Sequence, residues 1–88
     1  MPPRSRPDVV TRIVDGEAVI LDRAHGNIHR LNATATCIWT ECDGKKTVAE
    51  IANRLAASFQ RTPDEVLADV EETIASLERL GLLTRNDG

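Results

Sequence analysis

Apolar residues along this chain follow two periods. Three short runs come first: VVTRIV at residues 9–14, EAVILD at 17–22 and NIHRL at 27–31. Each is rich in β-branched residues or alternates apolar with polar, which predicts a strand. Asp15-Gly16 separates the first two and is the dipeptide of a tight hairpin, because Gly accepts φ > 0 without steric cost. Arg-Ala-His-Gly at 23–26 makes a second, looser turn. The turns are short, so the three strands are sequential neighbours in an antiparallel meander. In the third strand Ile28 and Arg30 face one side, while Asn27, His29 and Leu31 face the other.

After Leu31 the spacing becomes helical. Asn32 is placed to cap a first helix over residues 33–41, with Ala35, Ile38 and Trp39 as its apolar residues and Asp43-Gly44 as its end. Thr47 with Glu50 forms a capping box. It opens a second helix to about Phe59, with Val48, Ile51, Leu55 and Phe59 on one stripe. Thr62 with Glu65 repeats the box, and Pro63 sits at the first helical position. The third helix extends to about Leu80, its apolar face made of Val66, Leu67, Val70, Ile74, Leu77 and Leu80, and Gly81 stops it. Residues 82–84 add a short extended end. The order predicts an α+β fold, winged-helix-like, with a three-stranded antiparallel β-meander followed by three α-helices. A helix follows the third strand, so one edge of that strand has no evident partner in the chain. An open edge is a template for pairing that proteins normally blunt.

The length, 88 residues, predicts one domain, over residues 9–84. Residues 1–8 hold three prolines and two arginines and read as a disordered lead-in, and residues 85–88 as a disordered tail. Only Trp39 and Phe59 are aromatic, so the core must be aliphatic. No run approaches the roughly 20 apolar residues of a membrane helix. The basic N-terminus lacks the apolar segment of a signal peptide, which favours the cytoplasm. Cys37 and Cys42 point about 140° apart on a helix, so they suit neither a disulfide nor a shared metal.

The residues do not assemble an enzyme. His25 and His29 fall on a turn and a strand, more than about 12 Å apart, and lack the spacing of a helical metal pair. Ser5, Ser58 and Ser76 have no base at a fixed offset, and the glycines are scattered singly, without a phosphate loop. The acidic residues of the third helix suit a solvated face and the positive end of the helix dipole. No cofactor, metal or catalytic residue is expected. A winged helix also admits DNA binding. The net charge of −3, and a third helix with six acids against the single base Arg79, oppose it.

Taken in order, Leu21-Asp22, Gly26, Leu31-Asn32, Ala35, Ile38-Trp39, Asp43-Gly44, Thr47-Val48, Glu50-Ile51 and Asp69-Val70 form a pattern over most of residues 9–83. The pattern resembles the PqqD family, the leader-peptide recognition elements of ribosomally made, post-translationally modified peptides. The resemblance implies a non-catalytic module that binds a precursor's leader segment as an added strand on the third strand and against the third helix. It implies delivery of that precursor to a modifying enzyme or leader peptidase. Carried onto this chain, the binding residues are Asn27, Ile28, His29, Arg30 and Leu31 on the strand and Leu67, Val70, Glu71 and Ile74 on the helix. Plain core packing is the alternative for Leu67, Val70 and Ile74, and a core anchor is the reading for Trp39. LDRAHGNIHRLNATATCIW is more like the stand-alone modules of lasso-peptide systems, which work beside a leader peptidase and a cyclase. CDGKKTVAEIA is more like PqqD proper, the peptide chaperone for a radical SAM enzyme in pyrroloquinoline quinone biosynthesis.

Overall fold

A computed structural model describes residues 3–85. Its elements in chain order are β1 (Pro3–Ser5), β2 (Val9–Val14), β3 (Glu17–Asp22), β4 (Asn27–Arg30), α1 (Ala33–Glu41), α2 (Val48–Phe59), α3 (Pro63–Arg79) and β5 (Leu83–Arg85). β2, β3 and β4 form the expected antiparallel meander in that order. The α+β reading, with three helices after the meander, is what the fold contains. The β2–β3 turn has positive φ at both Asp15 and Gly16, as a two-residue hairpin of matching twist requires.

The ends of the chain depart from the sequence reading. Pro3–Ser5 is a strand, paired antiparallel with Leu83–Arg85 through Arg4↔Thr84. Pro3 is fully buried, its carbonyl accepts from Gly44 N–H, and the backbones of Arg4 and Asp43 form an isolated antiparallel β-bridge. The first strand thus lies between the α1–α2 loop and the C-terminal strand. Gly44 permits the approach, since it has positive φ and a Cβ there would meet Arg4 Cβ at 3.2 Å. Arg85, assigned to a disordered tail, belongs to β5. The parts of those two readings that concern residues 1–2 and 86–88 lie outside the described residues.

The core is aliphatic. Ile20, Ile38, Ile51, Val70, Ile74, Leu77 and Leu82 fill it, with Trp39 at its margin donating from Nε1 to Thr11 Oγ1 at 3.0 Å. Asn32 accepts from Ala35 N–H, and Thr47 and Glu50 close the full capping box. At α3 only half of the second box forms. Thr62 Oγ1 accepts from Glu65 N–H, but Glu65 takes the Thr62 hydroxyl proton and not its backbone N–H. Phe59 and Leu80, expected on apolar faces, stand exposed at the ends of α2 and α3, where neither helix has a further turn to cover them. Among the described residues no helix is long and apolar enough to cross a membrane.

One buried hydroxyl joins sheet to helix. Thr36 Oγ1 accepts from Ala18 N–H at 2.8 Å and donates to Leu31 carbonyl at 3.3 Å, splicing the end of the β3–β4 ladder. Thr36→Val keeps the shape and leaves both backbone groups unpaired. It should lower stability by about 1–3 kcal/mol in urea unfolding; an unchanged midpoint would mean that the hydroxyl is dispensable.

Candidate functional site: the open edge of β4

The site begins at a buried carboxylate. Asp22 Oδ1 accepts from Ala24 and His25 N–H, and Oδ2 takes the His25 ring at 2.8 Å. Gly26, with positive φ, returns its N–H to Asp22 carbonyl at 2.8 Å. These bonds fix where the chain turns and hence where β4 starts. The His25 side-chain bond, chiefly, holds the Asp22 carboxyl below its usual 3.8. Lys46 does the same to Asp43, lowering it to about 2. A folded pKa below the unfolded one stabilises above the unfolded value, and that contribution is lost as pH falls through the folded one. The melting temperature should therefore hold down to about pH 5 and drop between about pH 4 and 2. Asp22→Asn and Asp43→Asn should each flatten that drop, as thermal melts across pH would read.

The pairing pattern then decides which backbone groups face outward. Val19↔Arg30, Ile20↔His29 and Leu21↔Ile28 set the register, and Leu31 N–H donates to Ala18 carbonyl. Hydrogen-bonded and non-bonded pairs alternate in an antiparallel ladder. So Asn27 and His29 spend their N–H and C=O groups on β3, while Leu31 gives its N–H to β3 and its carbonyl to Thr36. Ile28 and Arg30 aim theirs away from the sheet, giving two donors and two acceptors along an open edge. The edge is therefore narrower than the five residues expected from sequence. The same alternation leaves Thr11 and Ile13 open on the far edge of β2.

The side chains alternate in step. Ile28 is 69% exposed on the outer sheet face, beside Arg30, which lies 3.5 Å from Glu17. His29 points inward, opposite the fully buried Ile20. Its Nε2 is buried and has no hydrogen-bond partner among the described residues. Asn27 is exposed, and Leu31 is buried under the sheet.

The helical half of the expected site divides between core and surface. Val70 and Ile74 are 0% exposed. The core stripe of α3 runs through Val66, Val70, Ile74 and Leu77, so two members of the expected ridge turn inward, as the core-packing alternative has it. Leu31 is likewise spent on the core. Leu67, half-buried, and Glu71, exposed, remain on the surface of α3.

Sequence reasoning missed a cavity of about 240 Å³ lined by Thr34, Ile38, Leu55, Phe59, Arg61, Val66 and Asp69. Phe59 was the available signal, an apolar residue at the last position of its helix with no following turn to cover it. Thr34 comes four residues after Arg30, a reach of at most about 14 Å. One cavity wall therefore lies near the C-terminal end of β4. A second, shallower hollow of about 250 Å³ lies on the outer sheet face between Val10, Arg12, Val19, Leu21 and Ile28. Among the described residues no group of three or more His, Cys, Asp or Glu is placed to hold a metal. Backbone donors and acceptors beside apolar walls are suited to holding an extended polypeptide.

These features define a winged-helix-like α+β domain with an uncapped sheet edge. The chain belongs to the PqqD family: the family described as coenzyme PQQ synthesis protein D (PqqD) matches residues 17–83. No curated protein matches it. Among solved structures, TbiB1 in complex with the TbiA(beta) leader peptide is 24% identical, with a TM-score of 0.85 over 97% of this chain and 99% of that one. Lasso peptide synthetase B1 complexed with the leader peptide is also 24% identical, with a TM-score of 0.84 over 97% and 100%. At these identities the two speak for the fold alone. The PqqD truncation of Methylobacterium extorquens PqqCD, a stand-alone recognition element for ribosomally synthesized and post-translationally modified peptides, is 26% identical. Its TM-score is 0.79 over 94% of this chain and 88% of that one.

Proposed function

We propose that this protein is a non-catalytic recognition module that binds the leader segment of a ribosomally made precursor peptide. The leader adds as a strand to the edge of β4, and the precursor passes to a modifying enzyme or leader peptidase of a lasso-peptide-type system. The observation that carries this reading is the open edge at Ile28 and Arg30. Strand addition takes its affinity from such backbone groups and its selectivity from alternate side-chain pockets. An antiparallel guest would have its N-terminal side at the β4 end nearest Thr34, which favours the cavity by Phe59 as the seat of an apolar leader side chain. Guest residues opposite Asn27, His29 and Leu31 would face inward, on the side of the His29 ring. Leu67 and Glu71 remain candidate contacts on α3. The reading places the protein in the cytoplasm, where its precursor is translated. Membership of the PqqD family favours one second reading, service to a radical SAM enzyme in pyrroloquinoline quinone biosynthesis.

Four edge hydrogen bonds contribute about 1 kcal/mol each. Two apolar anchors add about 2–3 each, and ordering the leader costs about 2–5. The balance, about −3 to −8 kcal/mol, corresponds to a Kd from about 6 mM to about 1 µM. Calorimetric titration with the leader of the co-encoded precursor should give saturable binding in or below this range. Duplex DNA should give none at physiological salt. Absence of leader binding at millimolar peptide would reject the reading.

A further inference from the structure

The edge of the sheet opposite β4 is open too, and it is the longer one, with six residues in β2 against four in β4. The bond from Arg23 N–H to Asp8 carbonyl fixes the phase of the β2–β3 ladder. Residues 8, 10, 12 and 14 therefore serve β3, while Val9, Thr11 and Ile13 turn their backbone groups outward. Val9 N–H reaches Arg6 carbonyl at 3.4 Å, which leaves the Val9 carbonyl and both groups of Thr11 and Ile13 unspent. Such an edge is normally blunted by proline, lysine, a bulge or an inward-pointing charge. VVTRIV has none of these, and its one charge, Arg12, lies on the outer side of the sheet.

Two side-chain observations mark this edge as a contact. On the inner side of the sheet Ile13 lies opposite Ala18, which is 0% exposed, yet Ile13 itself is 55% exposed. On the outer side Asp8 and Arg12 are both exposed, and neither has an ion pair among the described residues. An apolar residue left uncovered beside the core, and two opposite charges four positions apart on one strand, are what a self-complementary edge needs.

We propose that β2 pairs antiparallel with β2 of a second copy, joining two sheets into one in the order β4-β3-β2-β2-β3-β4. A two-fold axis at Thr11 is the register the chain favours. It makes hydrogen-bonded pairs of Thr11 with Thr11 and of Ile13 with Val9, so every open residue of the strand is engaged. An axis at Arg12 would set Arg12 against Arg12 in a close non-bonded pair, where like charges repel. An axis at Val10 would put Ile13 opposite Pro7, which has no N–H to give. With the axis at Thr11, Arg12 lies diagonal to Asp8 of the second copy, within reach of a long side chain, and the pair occurs twice. Ile13 gains the core-packed Val9 of the second copy as its neighbour and loses its exposure. An edge about 20 Å long buries less than the roughly 1,200–2,000 Å² of a stable interface, so the dimer is transient. Both β4 edges stay open at the two ends of the joined sheet, and the pairing needs no leader.

Sedimentation of the full chain up to millimolar concentration should show a reversible monomer–dimer equilibrium, with the Thr11 and Ile13 amides shifting with concentration in NMR spectra. Ile13→Pro removes an outward N–H and leaves the ladder to β3 whole, so it should weaken dimerisation at least tenfold. Ile13→Ala keeps the N–H and should weaken it less. Arg12→Glu should weaken it severalfold, and adding Asp8→Arg to that variant should restore it. The charge exchange keeps the test decisive even where the proline disturbs the fold. A chain that stays monomeric at millimolar concentration would overturn the proposal, as would a dimer that Ile13→Pro and Arg12→Glu both leave intact. A dimer dissolved by Ile28→Pro or by the leader peptide would also overturn it, since β4 would then be the joined edge. If the β2 dimer forms while the leader fails to bind, the reading of β4 falls and this one stands.

Discussion

Ile28→Pro should weaken leader binding at least tenfold while the protein stays folded. The Ile28 N–H points away from β3, so proline removes an edge donor and leaves the β3–β4 ladder bonds in place. A guest strand loses one hydrogen bond, worth about 1 kcal/mol, and meets the pyrrolidine ring where its carbonyl should sit. One further kcal/mol from that clash already exceeds a tenfold loss. His29→Pro makes the informative contrast. Its N–H serves the ladder to Ile20, so proline there should damage the fold itself, visible as a lowered melting temperature. Ile28→Ala keeps the N–H and should retain most of the affinity. Proline and alanine variants of equal affinity would show that the leader does not use this backbone.

Ile74→Ala should cost about 2–5 kcal/mol of stability, the range for emptying a well-packed aliphatic site. Ile74 is 0% exposed, amid the side chains that hold α3 to the rest of the core. A domain of this size is typically stable by about 4–13 kcal/mol, so the urea midpoint should fall steeply. Glu71→Gln, one helical turn away on the exposed side, should leave the midpoint nearly unchanged. A stable Ile74→Ala variant with weakened leader binding would return Ile74 to the surface ridge expected from sequence.

The contrast between those two residues shows what the sequence could reveal. The three helices were legible because capping residues and apolar stripes are local signals. Asn32, Thr47 and Thr62 mark the starts, Asp43-Gly44 stops the first helix near Glu41, and the apolar stripe carries the second to Phe59. The meander was legible through Asp15-Gly16 and the alternation on either side. Facing on α3 was not, because Leu67, Val70, Glu71 and Ile74 share one spaced ridge, and only the packed partners decide which members turn inward. The β1–β5 pair was hidden for another reason. Strands of three residues carry no period, and Arg4 and Thr84 meet across almost the whole chain. The phase of the β4 ladder was also invisible. Side-chain alternation says which residues share a face, but either phase of backbone pairing is compatible with it. Only the Leu31–Ala18 bond identifies Ile28 and Arg30 as the open pair.

Hydrogen exchange by NMR, with and without the leader peptide, tests the edge most directly. Amides of Ile28 and Arg30 should exchange freely in the empty protein and become protected on saturation, while those of Asn27, His29 and Leu31 stay protected throughout. Protection appearing instead at Thr11 and Ile13, or at no strand amide, would place the peptide elsewhere.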